Sequence, residues 1–293
     1  MTSHEIVTVI NAFGLLFVIT NSFALGLRLQ IGQILAHFFQ DWQLAVRVLV
    51  INFVILPALI IGFAAIAPIN ADIKIGYCIV ALAAGAPFAP AITRLANGNV
   101  AMSMALFLAM VVVTVIVLPF LLPLTVSALV PGAKHVGTWD VAWPLLAFVI
   151  APMLIGCLMR LRYGEVVSSW VRPLLIVSIA SLLLYANLFI YAFSSQFRDV
   201  WWGAYLAAIA VPILGIAFGS VISLKDVGTR HASVITTAQR SITGAVIVTV
   251  FNYTQPLANV SVTIINSVGI VILLMLAIEW RRAQTHKVLR GQS

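Results

Sequence analysis

Apolar runs long enough to cross a bilayer follow one another from end to end of this 293-residue chain. Runs of ~20 residues free of charge are what a hydrocarbon layer ~30 Å thick selects, because only a closed helix satisfies its own backbone there. Read for that length, the sequence yields segments at 5–27, 43–69, 73–96, 98–127, 138–160, 170–194, 201–223, 230–253 and 256–280. Composition agrees, since 62% of residues are hydrophobic and 8% are charged, against about 25% charge in soluble domains. The fold class expected is an all-α polytopic membrane protein. The first run has no basic leader, is too long for a signal-peptide core and lacks a small-residue cleavage site, so it is read as a span.

The basic residues test the count. With the N-terminus outside, Arg28, Arg47, Arg94, Arg160, Arg162, Arg172, Lys225, Arg230, Arg281, Arg282, Lys287 and Arg290 all fall on the inner side. Lys74, Lys134 and Arg198 fall outside, and Arg240 falls in mid-span. This is the inward bias of Lys and Arg expected at a membrane, and losing one crossing would scramble it. Nine helices, N-terminus out and C-terminus in, are expected, in the plasma membrane (the inner membrane of a bacterium), with 281–293 as a cytoplasmic tail. The net charge of +8 then reports cytoplasmic loops and not a nucleic-acid surface. In 29–40 the apolar residues Ile31, Ile34, Leu35, Phe38 and Phe39 share one helical face, which predicts a short helix on the inner membrane surface. Cys78 and Cys157 sit in apolar runs without ligand spacing, so neither a disulfide nor a metal site is expected.

Two spans are not bland. The third contains AAGAPFAPAITR, with Gly85, Pro87 and Pro90 at mid-depth. Each proline removes a backbone donor and clashes with the turn before it. A break is favoured over a simple kink: Pro87 should end one half-helix and Pro90 suits the first turn of the next. The amides of Phe88, Ala89 and Ala91 would then face a gap. The eighth span contains TTAQRSITG, residues 236–244, with Thr236, Thr237, Gln239, Arg240, Ser241 and Thr243. A charge at the bilayer centre costs about 2.5–3.5 kcal/mol or more on insertion. Arg240 is ~15 Å from either end of its span, too deep to snorkel easily. It therefore reads either as a functional cation or as an arginine packed against carbonyls. Interrupted segments at matching places in two halves of a chain mark a transporter's binding region.

At these residues the chain resembles the bile acid:sodium symporter family. The resemblance runs from NAFGLLFVITNSFALGLRL through LVINFVILP and GAPFAPAITRLANGNVAMSMAL to TTAQRSITGAVI, without the extra first helix that many bacterial members carry. It implies inverted repeats, here about 5–127 and 138–280, within a single transmembrane domain. A panel moves against a core in which two broken helices cross, and sodium and an organic anion bind near the crossing. The chain departs from the family's sodium ligands. Ala89 and Pro90 replace a Ser-Asn pair, Ile235 a glutamate, Arg240 an asparagine, Asn52 a glutamine and Phe107 a threonine; Gln239, Ser241 and Ser103 are kept.

These departures predict a secondary transporter of a small organic anion that is not sodium-coupled and needs no cofactor. Arg240, never deprotonated in proteins, would supply the charge of the missing ion and bind the anion. Gln239, Ser241, Thr236, Thr237, Phe88, Ala89, Asn52, Ser103 and Asn266 are the candidate lining, with Asn21, Ser22 and Asn187 as secondary ones. No acid or histidine is expected at mid-membrane, so no proton relay is evident. A sodium symporter with a remodelled site, and an anion sensor that does not transport, are the alternatives. No catalytic motif suggests an enzyme.

Overall fold

The computed structural model describes residues 3–29, 32, 39, 41–198, 200–223, 226–253 and 255–289. The surface helix expected over 29–40 lies almost wholly outside them. The main helices are α1 (Ser3–Arg28), α2 (Trp42–Ile66), α3 (Ala71–Leu82), α4 (Ala89–Leu95), α5 (Val100–Leu129), α6 (138–163), α7 (Val171–Ala192), α8 (Trp202–Ile222), α9 (Val227–Ala238), α10 (Ile242–Phe251) and α11 (Pro256–Leu289), with short helical turns at Gly164–Trp170 and Ser194–Arg198. Among the described residues there is no strand. Seven continuous helical stretches are long and apolar enough to span a bilayer. One of these, Thr138–Ala192, runs 55 residues through α6 and α7, longer than a single crossing requires. The pair α3–α4 is not among the seven, because the break leaves pieces of 12 and 7 residues. The segment expected as a tail from 281 is helical as far as Leu289, as a continuation of α11.

Prolines shape α2 and α6 in the same way. Each helix carries a five-residue π turn, Ile51–Ile55 and Leu146–Ile150, two residues ahead of Pro57 and Pro152. A proline cannot donate to the preceding turn and its ring crowds the carbonyl there, and an added residue in that turn relieves both. In α2 the wide turn carries Asn52, fully buried, whose Nδ2 donates to the Val48 carbonyl at 2.9 Å.

Helices α1, α6 and α7 pack together as one body, and α2 to α5 with α8 to α11 as the other. Glycines set the close approaches. A Cβ at Gly26 would sit 2.1 Å from the Met153 carbonyl oxygen, and one at Gly156 would sit 2.4 Å from that of Phe23. Gly215 and Gly219 on α8 play the same part against α9, where an added Cβ would lie 2.4 Å from Ala238 Cα and 2.7 Å from Val234 Cα. Lipid tails are as apolar as leucine, so membrane helices associate through such close backbone contact.

At the end that holds the start of α6, the two bodies are joined by polar and aromatic contacts. Asn252 Nδ2 donates to the Asp140 carbonyl at 2.8 Å, and the Tyr185 hydroxyl donates to Asn259 Oδ1 at 3.1 Å. Phe251 meets Trp143 edge-on at 5.2 Å and stacks on Phe148 at 5.1 Å. At the opposite end the seam is apolar, formed by Leu25, Leu29, Met104, Phe107, Met153 and Cys157. Cys78 and Cys157 are free and buried, with no metal-binding group among the described residues.

Gly215→Val should lower stability by about 1–3 kcal/mol through overpacking of the α8–α9 contact. Gly62→Ala, where an added Cβ meets nothing within 4 Å, should be neutral. Thermal unfolding of the purified protein measures both, and equal melting temperatures would disprove the packing argument.

Candidate functional site

Two helix breaks meet in the interior. The first opens earlier than Pro87, which had been expected to end the half-helix: α3 stops at Leu82. The cause is local. Gly85 holds φ at +81°, a left-handed value that glycine alone adopts freely, so the chain leaves the helix ahead of the proline. A Cβ there would also come within 2.9 Å of the Val111 amide nitrogen. Pro90 occupies the first turn of α4, as expected. The Ala89 amide is not free as predicted but donates to the Ala86 carbonyl at 3.2 Å.

The second break has no proline. Ser241 creates it by capping α10, its hydroxyl accepting from the Gly244 amide at 3.3 Å. Gln239 and Arg240 are left as the connection between α9 and α10.

Buried backbone at a break must find partners, and here most come from the other break or from α5. The Ser241 amide donates to the Ala83 carbonyl at 3.0 Å. Thr114 serves Ala84 twice, its hydroxyl accepting from the amide at 3.1 Å and donating to the carbonyl at 2.9 Å. Arg240 serves the last turn of α3: Nε donates to the Val80 carbonyl at 3.0 Å and Nη2 to the Ala81 carbonyl. Its Nη1 donates to Asn52 Oδ1 at 3.0 Å. The guanidinium therefore caps a helix C-terminus, where orphan carbonyls and the negative end of the dipole favour a cation. Its counter-charge is backbone, which explains why no acid accompanies it.

Arg240 is 3% exposed. The cavity at the crossing is lined by Asn21, Ser22, Gly85, Pro87, Phe107, Thr114, Ser241 and Thr243 among others, and Arg240 is not one of them. Arg240, expected from the sequence to grip a transported anion, here gives three of its five N–H groups to protein, one from each nitrogen. The cavity measures about 20 Å³ and lies between the two bodies, room for little more than one water. Two polar groups on its wall lack protein partners although buried, Asn21 Nδ2 and Thr243 Oγ1. Gln239 is buried nearby in the chain with neither side-chain atom bonded, and so is the Thr237 hydroxyl.

Other candidates separate. Ser103 lies between Thr93, which donates to it at 3.1 Å, and Thr236 at 3.3 Å, forming a buried hydroxyl chain that ties α4, α5 and α9. Ala89 and Pro90 are buried, while Phe88 stacks on Phe17 at 6.4 Å across the two bodies. Asn266 Nδ2 donates to its own helix at Val262, and Asn187 is exposed and bonded to Leu183; neither borders the cavity. Thr114 escaped the sequence reading, though a lone hydroxyl within VVVTVIV was the available signal. A roomier hollow of about 470 Å³ between α2 and α8 is mainly apolar; its polar side-chain groups are the Tyr77 hydroxyl, which already donates to Ala204, and the indoles of Trp201 and Trp202, and no charged side chain lines it.

An all-helical bundle with several membrane-length helices, two of its helices interrupted where they meet beside a buried, partly polar cavity, is consistent with a multi-pass membrane transporter. The SBF model, the Sodium Bile acid symporter family, matches residues 15–199, more than half of the chain, and the protein belongs to that family. The match takes in the first break and Asn52 and stops short of the second. No curated protein matches the sequence.

Arg240→Ala would strand two buried carbonyls and the Asn52 amide, at a cost of about 2–5 kcal/mol. Arg240→Lys should recover part of this, since one ammonium cannot span three acceptors as a planar fork does. Thermal unfolding of both, completed by an Arg240/Asn52 double-mutant cycle, measures the cap. An alanine variant as stable as the parent would remove it.

Proposed function

We propose that the protein is a secondary carrier of a small organic anion that works without sodium. Arg240 acts in it as a permanent cation fixed at the crossing of the two broken helices. The observation that carries this reading is the bonding of the guanidinium to the Val80 and Ala81 carbonyls and to Asn52. Two backbone oxygens and an amide oxygen are hard donors of the kind a sodium ion takes. Asn52 stands where the family has a glutamine, and Arg240 stands beside the retained Gln239 and Ser241.

The anion on this reading sits in the cavity, next to Ser241 and Thr243 at the start of α10, when the two bodies separate. It feels the Arg240 charge through a medium of low dielectric and need not touch it. The amides at the start of α10 and the hydroxyl of Thr243 supply contacts. Nine crossings fit the described helices once α3–α4 counts as one and the 138–192 stretch as two. The N-terminus then lies outside and the C-terminus inside, with α1, α6 and α7 as the panel and the remaining helices as the core. The repeat boundaries stay near 5–127 and 138–280. An anion sensor without transport has no comparable support, since two bodies meeting at a buried crossing are what alternating access needs.

One observation favours sodium coupling instead: both side-chain atoms of Gln239, a residue the family uses, are buried without a protein partner.

Counterflow of labelled organic anions into proteoliposomes separates these readings. Flux and melting temperature should be the same in sodium as in choline. Arg240→Ala should abolish flux, and Arg240→Lys should retain it at weaker affinity. A millimolar sodium requirement would defeat the proposal.

A further inference from the structure

The arginine-rich end of the bundle carries a second concave site, independent of the transport reading. Helix α11 is 34 residues long, or ~50 Å at 1.5 Å per residue, and outruns a hydrocarbon layer of ~30 Å. From Pro256, Arg281 lies ~38 Å along the axis, which places Arg281 and Arg282 just past the hydrocarbon in the headgroup layer.

Beside them is a hollow of about 330 Å³ lined by Leu95 of α4 and by Ile278, Arg281, Arg282 and Thr285 of α11. Its lining is mainly carbon, contributed by two aliphatic side chains and the stems of two arginines, with one threonine whose hydroxyl donates to the Arg281 carbonyl at 3.0 Å and can still accept. Both arginines are exposed. Glu279, the acid on the same turn, forms no ion pair with either among the described residues. Arg94 adds an exposed cation beside Leu95.

We infer that this hollow binds the headgroup of an anionic phospholipid. The phosphate lies between Arg281 and Arg282, the glycerol reaches Thr285, and an acyl chain runs down over Leu95 and Ile278. Guanidinium forks match phosphate oxygens in pairs, and anionic lipid is attracted to clustered arginines at this depth. The position gives the lipid leverage on the crossing. Leu95 ends the second half of the first broken helix, and Trp280 stacks on His231 of α9, ring to ring at 4.0 Å. His231 Nδ1 in turn lies 2.9 Å from the Ala96 carbonyl oxygen. A lipid bridging α4 and α11 therefore tightens contacts that hold halves of both broken helices.

The test is thermal unfolding of the full chain in mixed micelles titrated with phosphatidylglycerol, phosphatidylcholine or inorganic phosphate. Phosphatidylglycerol alone should raise the melting temperature. Arg281→Gln with Arg282→Gln should weaken the half-saturating concentration about five-fold for each arginine removed. Ile278→Trp, which fills the hollow and leaves both arginines, should weaken it as well. Arg172→Gln, a charge removed elsewhere at this end of the bundle, should leave it unchanged. An equal loss in Arg172→Gln would reduce the effect to general surface charge. An undiminished response in the double variant, or an equal response to phosphatidylcholine or to phosphate, would overturn the site.

Discussion

A cation held against the end of a half-helix is the interaction on which the interior depends. Interrupting α3 at Leu82 leaves the carbonyls of Val80 and Ala81 without the amide a continuing helix would bring, while Ile79 still accepts from Ala83. Water would receive them in a soluble protein, but here Val80 and Ala81 are fully buried. Arg240 supplies the donors from the other broken helix, 160 residues on from Val80, so neither break is satisfied alone. The Ser241 amide on the Ala83 carbonyl is the second thread of the same knot. Deleting one partner is costlier than never having had either, because a buried polar group without its mate carries the full loss of hydration.

The rest of the architecture brings those two breaks into register. Gly215 and Gly219 let α9 approach α8 to backbone contact, and Gly85 lets the first break pass against α5 at Val111. Thr114 meets Ala84 across that approach through both an amide and a carbonyl. The π turn of α2 carries Asn52, whose Oδ1 accepts from the guanidinium while its Nδ2 remains bonded to Val48. None of these devices is a charge pair. In a bilayer, close backbone contact and neutral hydrogen bonds position a single charge without adding a second one.

Hydropathy made the all-helical, membrane-spanning character legible, because membrane thickness sets a minimum length for an apolar crossing. The existence of the first break was legible in Gly85, Pro87 and Pro90, but its position was not. Proline marks where a helix cannot continue, whereas the left-handed turn at Gly85 and the capping of Val80 and Ala81 decide where it does stop. The partner of Arg240 was hidden for a related reason. A search for acids looks at side chains, and the negative group here is the end of a helix, which no letter of the sequence represents. Asn187 could be read from the sequence as cavity lining or as a hydrogen-bonding residue, because an isolated polar residue in an apolar run does not say which face of the helix it occupies; here it is exposed and bonded to Leu183 of its own helix.

A tethered cation has a thermodynamic consequence that a bound ion does not. A diffusible ion stabilises the crossing only in proportion to its occupancy, so its concentration on each side of the membrane enters the balance between conformations. Arg240 is always present and always charged, and its contribution is the same in any salt. A carrier built this way would, on the proposed reading, keep its crossing assembled throughout the cycle. On the proposed reading the gradient of the anion itself must then supply the direction of transport. The seam between the two bodies is consistent with such a division of labour. Its aromatic and hydrogen-bonded contacts lie at one end, around Phe251, Asn252 and Tyr185, and its apolar contacts at the other. The partners of Arg240 all lie in the same body as Arg240 itself, so on the proposed reading the two bodies could part without breaking the bonds that hold it.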